Sequence, residues 1–406
     1  MAIVAREHRG LYASLLASFT LFGISSTLVG AILPALLETF HWSYGVAGVL
    51  LAAGSLGSLL SNYAGGKLIG RMGPRATLGT GFGLCLVSLA FFAATPSPAL
   101  NIALYLLLGL GQGLLEVGVN WAVLRMDAEG RGRPLNVMHG SFSIGAVVGP
   151  FVMGVLLSTG VDWALVYRGI AALFAVLFGL VFVLPFGRIT PPRAGTGAAP
   201  ASRQGGAVRY IGFVAMLFYV GTELGISNWS AEYFVRSFSW KPAAAAFMVS
   251  VFWGGLTIGR LGVPLVFRKA RPDRLIVVLS LLFSGGAAAL AGLGFAGPAA
   301  SALAVLSVAA AGLGASCVYT SAITLVGRAY ESDPGPAIGL ASTGGATGSL
   351  LFPFAMSAIA SALGVRAGFL FYAALSLGSL ASCASLVAAT RRRLAAPSLR
   401  KESMDR

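Results

Sequence analysis

The chain has 406 residues, 57% of them hydrophobic and only 10% charged. A soluble fold carries about 25% charged residues to wet its surface, so a water-facing globule is excluded and the exterior must face lipid. The net charge of +15 does not mark a nucleic-acid binder, because the basic residues fall in clusters between apolar stretches of membrane-spanning length.

A helix needs about 20 apolar residues to cross the hydrocarbon core. Such runs predict twelve spans, at 11–37, 44–69, 76–95, 100–125, 136–159, 164–186, 209–235, 243–266, 274–296, 299–327, 336–363 and 367–390. The first is too long for a signal-peptide core and has no small-residue cleavage pattern after it. Breakers such as Thr95-Pro96-Ser97-Pro98 and Ser332-Asp333-Pro334-Gly335-Pro336 separate them. With both termini in the cytoplasm, 24 of the 28 basic residues lie on that side. Only Arg168, Arg236, Lys241 and Arg366 are left for the opposite face, so the positive-inside rule sets this orientation. The fifty-five glycines suit close helix packing. Cys85, Cys317 and Cys383 stand singly in apolar runs and give no disulfide or metal-site signal.

The stretch Thr190 to Gly206, rich in Pro, Gly, Ala and Ser, predicts a cytoplasmic linker at 188–206 between six-helix halves 1–187 and 207–406. The halves repeat. Gly109-Leu110-Gly111 matches Gly312-Leu313-Gly314, and Gly145 with Pro150-Phe151 matches Gly348 with Pro353-Phe354, both at an offset of 203. Gly54 and Leu56 pair with Gly254 and Leu256 at 200.

Ionised side chains at the bilayer centre cost at least about 2.5–3.5 kcal/mol, so the few present are informative. Of the thirteen acids, Glu116 and Glu223 lie well inside predicted spans, whereas Glu38 and Glu232 sit near periplasmic ends where water reaches. Gln112, Glu116 and Asn120 follow at i, i+4 and i+8 as one polar stripe of the fourth span, with Trp121 beside them. An acid so placed is a candidate to bind and release a proton; the alternative is a permanently protonated acid bonded to a neighbour. The fifth span opens with Asn136 and His139, three apart on one face and able to join that stripe. Histidine as a side chain titrates near physiological pH, yet His139 lies within a turn of the cytoplasmic end, where a structural or gating bond is an equal reading. The seventh span carries Tyr219 and Glu223 on one face, with Asn228 and Trp229 nearer the periplasm, as an upper-site pair or, for Trp229, an interfacial anchor.

Two parallel repeats around a midplane site resemble the major facilitator superfamily over the full length of the chain. The loop Gly66-Lys67-Leu68-Ile69-Gly70-Arg71-Met72-Gly73-Pro74-Arg75 is similar to that superfamily's cytoplasmic signature, G-x-L-x-D-R-x-G-R-R. Gly70 replaces its acid and Pro74 a basic residue. The resemblance makes Arg71 and Arg75 gating residues, in a latch weakened or built differently. Gly145 to Pro150, followed by Gly154, resembles the G-x-x-x-G-P-x-x-G-G run of drug/proton antiporters, with Met153 in place of the first closing glycine. The polar set resembles the fucose–galactose–glucose:proton symporters more closely, in Leu115-Glu116 with Asn120, Leu135-Asn136, and Tyr219-Val220-Gly221. By that resemblance Glu116 binds sugar hydroxyls and couples to protons. The helix 1 acid of that branch is missing here, where Ser25, Ser26 and Thr27 stand at depth.

The expectation is therefore an all-α membrane protein of twelve helices in two pseudo-symmetric bundles. It is a monomer of the inner membrane without cofactor, carrying a sugar-like solute with protons by alternating access. Gln112, Asn120, Asn136, Asn228, Trp121 and Trp229 supply the hydrogen bonds and aromatic faces a sugar needs. Proton-driven efflux of an amphipathic compound is the alternative. An enzyme is not expected, since no nucleophile–base set or metal cluster is visible.

Overall fold

The computed structural model describes residues 4–126, 133–186, 206–266, 271–330 and 335–404, and among them every regular element is helical. The predicted linker thus falls, up to residue 205, outside the described residues, as does the side chain of Asn136. The helices are α1 (Arg9–Phe40), α2 (Tyr44–Phe91), α3 (Pro98–Met126), α4 (Arg133–Ser158), α5 (Trp163–Val183), α6 (Ala207–Phe238), α7 (Pro242–Val266), α8 (Pro272–Leu293), α9 (Ser301–Ala315), α10 (Val318–Ala329), α11 (Gly335–Leu363) and α12 (Val365–Met404). Eleven described segments are long and apolar enough to cross a membrane, with α9 and α10 forming one of them.

The longest, α2, has 48 residues and occupies the second and third predicted spans. Its helical dihedrals fail at Gly73, with φ 77° and ψ 168°. Gly54 and Gly81, on opposite sides of that break, both lie against α3, at Gly109 and Gly111. On a straight helix those two residues would stand about 40 Å apart, so the chain folds back at Gly73 and its two arms, 44–72 and 74–91, flank α3. A side chain at that φ and ψ is strained, and Pro74 suits the first turn of the helix that follows. Glycine and proline thus compress the predicted loop into one residue. A Cβ at Gly73 would meet nothing within 4 Å, so Gly73→Ala isolates the backbone cost. Denaturation of the purified protein is expected to show a loss of about 1–3 kcal/mol.

By contacts the chain forms two units. One comprises 1–195 with 228–235 and 240–250; the other comprises 196–227, 236–239 and 251–406. The same packing device recurs inside each. In the first, a Cβ on Gly109 would overlap the carbonyl oxygen of Gly54, and one on Gly57 that of Leu106. In the second, Gly312 meets the carbonyl of Phe252 in the same way, and Gly255 that of Ala309. Gly145 of α4 is pressed on the carbonyl of Thr20 in α1, just as Gly348 of α11 is pressed on that of Leu217 in α6. The repeat is therefore physical. It keeps the offset of 203 for α3/α9 and α4/α11, but α2 and α7 correspond at 198, since Gly57 does the work of Gly255. The sequence pairing of Gly54 with Gly254 is two residues out of register.

Pairs of helices are also fastened at their ends. Arg75, at the start of the second arm of α2, donates from Nη2 to Leu184 O just past α5, at 2.9 Å. Arg168, near the start of α5, donates from Nη1 to Leu89 O and Phe92 O at the end of α2, at 3.1 and 2.7 Å. Each cation thus sits at the negative end of the other helix. The second unit uses an ion pair for the matching task. Asp273 at the start of α8 is buried and accepts from Arg391 Nε of α12 at 3.1 Å and from Arg271.

Candidate functional site

In the first unit α3 presents its polar stripe because Gly109, Gly111, Gly113 and Gly118 seat the rest of the helix on α2. Gln112, Glu116 and Asn120 are left half-buried. Gln112 Nε2 donates to Ser25 Oγ of α1 at 3.0 Å. Glu116 Oε2 accepts from Asn62 Nδ2 of α2 at 3.2 Å. Asn120 Oδ1 is buried and has no hydrogen-bond partner among the described residues. Between the first and fourth predicted spans, here α1 and α3, where the symporter resemblance sets an acid on each side, the contact is a neutral serine–glutamine bond.

Trp121 stands beside the stripe, but the guanidinium of Arg125 lies 3.4 Å from its ring centroid and donates to its carbonyl at 3.3 Å. One face of that indole is therefore occupied by a cation. His139 is exposed, and its ring stands edge-on to Phe19 at 5.4 Å, in an aromatic group with Phe22 and Phe142. That ring contact is to α1. Arg71 and Arg75 are exposed, and Arg75 is engaged by α5.

Asn228 and Trp229, at the α6 end that groups with the first unit, are half-buried and fully buried respectively. Trp229 packs edge-on against Tyr44 at 5.7 Å, so it is no lipid-facing anchor. Tyr44 also donates to Glu232 Oε1 at 2.8 Å, and Glu232 is 0% exposed. The sequence expectation that water reaches Glu232 is corrected: its position near a helix end does not prevent tertiary burial.

In the second unit Tyr219 and Glu223 are both buried. Tyr219 Oη donates to Ala315 O at 2.7 Å, and the Glu223 carboxyl interacts with Tyr219 and Arg260. Arg260 of α7 is half-buried and donates from Nε to Ser316 O at 3.2 Å. Trp253 donates to Ser227 Oγ at 2.8 Å. Asn62 is uncharged and carries no signal of its own in the sequence, and Arg125 and Arg260 fall among the cytoplasmic cations by the charge rule. Position is what distinguishes the three: each lies inside a predicted span rather than in a loop. Two open grooves, of about 1010 and 480 Å³, are lined almost wholly by apolar residues such as Val278, Leu281 and Leu306, or Val87, Phe178 and Phe182. They lie apart from these polar groups.

These helices and their paired repeats match known proteins. Protein TsgA of Escherichia coli O157:H7 is 25% identical over 337 residues, covering 82% of this chain and 84% of that protein. Bypass of stop codon protein 6 of Saccharomyces cerevisiae is 23% identical over 60% of this chain, which spans 54% of its length. A D-xylose-proton symporter shares the fold with a TM-score of 0.75 at 15% identity, over 92% of this chain and 95% of that one. FucP in its outward conformation does so with a TM-score of 0.62 at 18% identity, over 94% and 99%. A model of the Major Facilitator Superfamily matches residues 15–331, and the chain belongs to that superfamily of membrane transporters.

Proposed function

We propose that the protein is a secondary active transporter that takes up a sugar-like solute with protons, with Glu116 as the substrate and proton site of the first unit. The observation that carries this is the α3 stripe. Glu116 and Gln112 are half-buried, held by Asn62 and Ser25, and flanked by Asn120 with an unused acceptor. Directional donors and acceptors on one face of an otherwise apolar helix suit a polyhydroxyl solute better than an amphipathic one. The shared fold of a D-xylose-proton symporter supports the same class. On this proposal halves 1–187 and 207–406 alternate in access to a midplane site, in an inner membrane, with both termini cytoplasmic and the protein monomeric.

Uptake of labelled L-fucose, D-xylose, D-galactose and D-glucose into proteoliposomes tests it. At least one should accumulate under an inward proton gradient, and Glu116→Gln should lower that uptake at least about tenfold, or 1.4 kcal/mol. Efflux would instead rest on the Gly145–Pro150 run, whose Gly145 and Gly149 serve to seat α4 on α1. If no sugar enters while expressing cells gain resistance to lipophilic cations, efflux replaces uptake.

A further inference from the structure

The polar chemistry of the second unit differs from that of the first. The tenth predicted span is interrupted: α9 ends at Ala315 and α10 begins at Val318. In lipid a broken helix frees carbonyl groups that need donors from elsewhere. Here Tyr219 Oη supplies Ala315 O and Arg260 Nε supplies Ser316 O. One turn along α6 from Tyr219 lies Glu223, 6% exposed, with Oε1 lacking any hydrogen-bond partner among the described residues. Through the repeat, Ala315 corresponds to Gln112 and Glu223 to Ser26. The first unit therefore has an unbroken helix and neutral contacts where the second has a break, an acid and a cation.

We propose that Glu223 is a second proton-binding site, its two charge states held by Tyr219 and Arg260 beside the α9–α10 break. A tyrosine hydroxyl has one proton to donate, and Tyr219 gives it to Ala315 O. The hydroxyl's lone pairs are left to accept from Glu223 when its carboxyl is protonated, and Arg260 carries the positive charge that a carboxylate there can meet. The proton comes from water and returns to water, and no other bond changes. Two further titratable groups lie around this point of α6, Cys317 at the break and Tyr372 of α12, whose ring packs on Gly225. Phe283 of α8 and Phe352 of α11 close it with apolar surface.

The proposal deepens the transport reading and rests on it only for what the proton drives, so its test uses no substrate. Infrared difference spectra between acidic and alkaline buffer should be taken on the full chain in liposomes. A protonated-carboxyl C=O band that titrates should appear in the wild type, vanish in Glu223→Gln and persist in Glu116→Gln. Glu223→Asp should shift its frequency, which covers the case where the glutamine variant does not fold. Arg260→Gln should change the pH dependence of the same band. A spectrum in which Glu223→Gln and Glu223→Asp retain every titrating band of the wild type overturns the assignment, whatever the sugar-uptake result.

Discussion

Gly109→Leu is expected to leave no folded protein in detergent extracts, and Gly312→Leu to do the same from the other repeat. Each glycine faces a backbone carbonyl, Gly54 O or Phe252 O, at a separation that even a single Cβ would overlap. A side chain in that position cannot be relieved by a rotamer change in its neighbour, because the obstacle is main chain. The two helices must part, and the contacts along their length go with them. Overpacking a core costs about 1–3 kcal/mol where the surroundings can give; against rigid backbone the loss should reach or pass the top of that range. Gly254 provides the internal control. It is a helical glycine with nothing within 4 Å of a built Cβ, so Gly254→Ala gains helix propensity of up to about 1 kcal/mol and meets no obstacle. Thermal unfolding followed by size-exclusion chromatography should give opposite signs for Gly254→Ala and for Gly109→Ala or Gly312→Ala. A uniform response of all three alanine variants would show that these close approaches do not hold the repeats together.

This contrast also shows what a sequence can and cannot disclose. The membrane class follows from too few charges, and the paired repeats follow from Gly-Leu-Gly and Gly-to-Pro-Phe matches, because composition and spacing are properties of the chain itself. The stripe Gln112, Glu116, Asn120 is legible for the same reason: helical periodicity puts the three on one side. Their partners are not. Ser25 and Asn62 lie 87 and 54 residues away, and nothing local to either predicts the meeting. The break after Ala315 carries no proline and reads as continuous helix, because Tyr219 and Arg260, from other helices, are what make it affordable in lipid. Glu232 is hidden for a related cause, since nearness to a helix end in sequence does not imply nearness to water once Tyr44 packs over it. Matching letters pair Gly54 with Gly254, whereas the close approach itself selects Gly57 as the partner of Gly255.

Arg168→Ala is expected to cost about 3 kcal/mol, from two hydrogen bonds of a charged donor worth about 1.5 kcal/mol each. It bridges Leu89 O and Phe92 O at the last turn of α2, where a cation also meets the negative end of the helix. Arg75 makes a single bond to Leu184 O and is more exposed, so Arg75→Ala should cost about half as much. The pair decides between two roles for the signature loop. If Arg75 serves chiefly to tie α2 to α5, then Arg75→Ala and Arg168→Ala both lower the melting temperature, and transport per folded molecule stays within about twofold of wild type. A gating residue behaves otherwise: its loss changes the transport rate by more than stability accounts for. Lysine sharpens the test. Arg168→Lys keeps the charge, but both bonds leave from the single Nη1 at the end of the longer side chain, a point the shorter lysine stem does not reach, so it should recover only part of the stability. Full recovery by lysine would mean that charge at the helix end, rather than the bridged carbonyls, carries the effect.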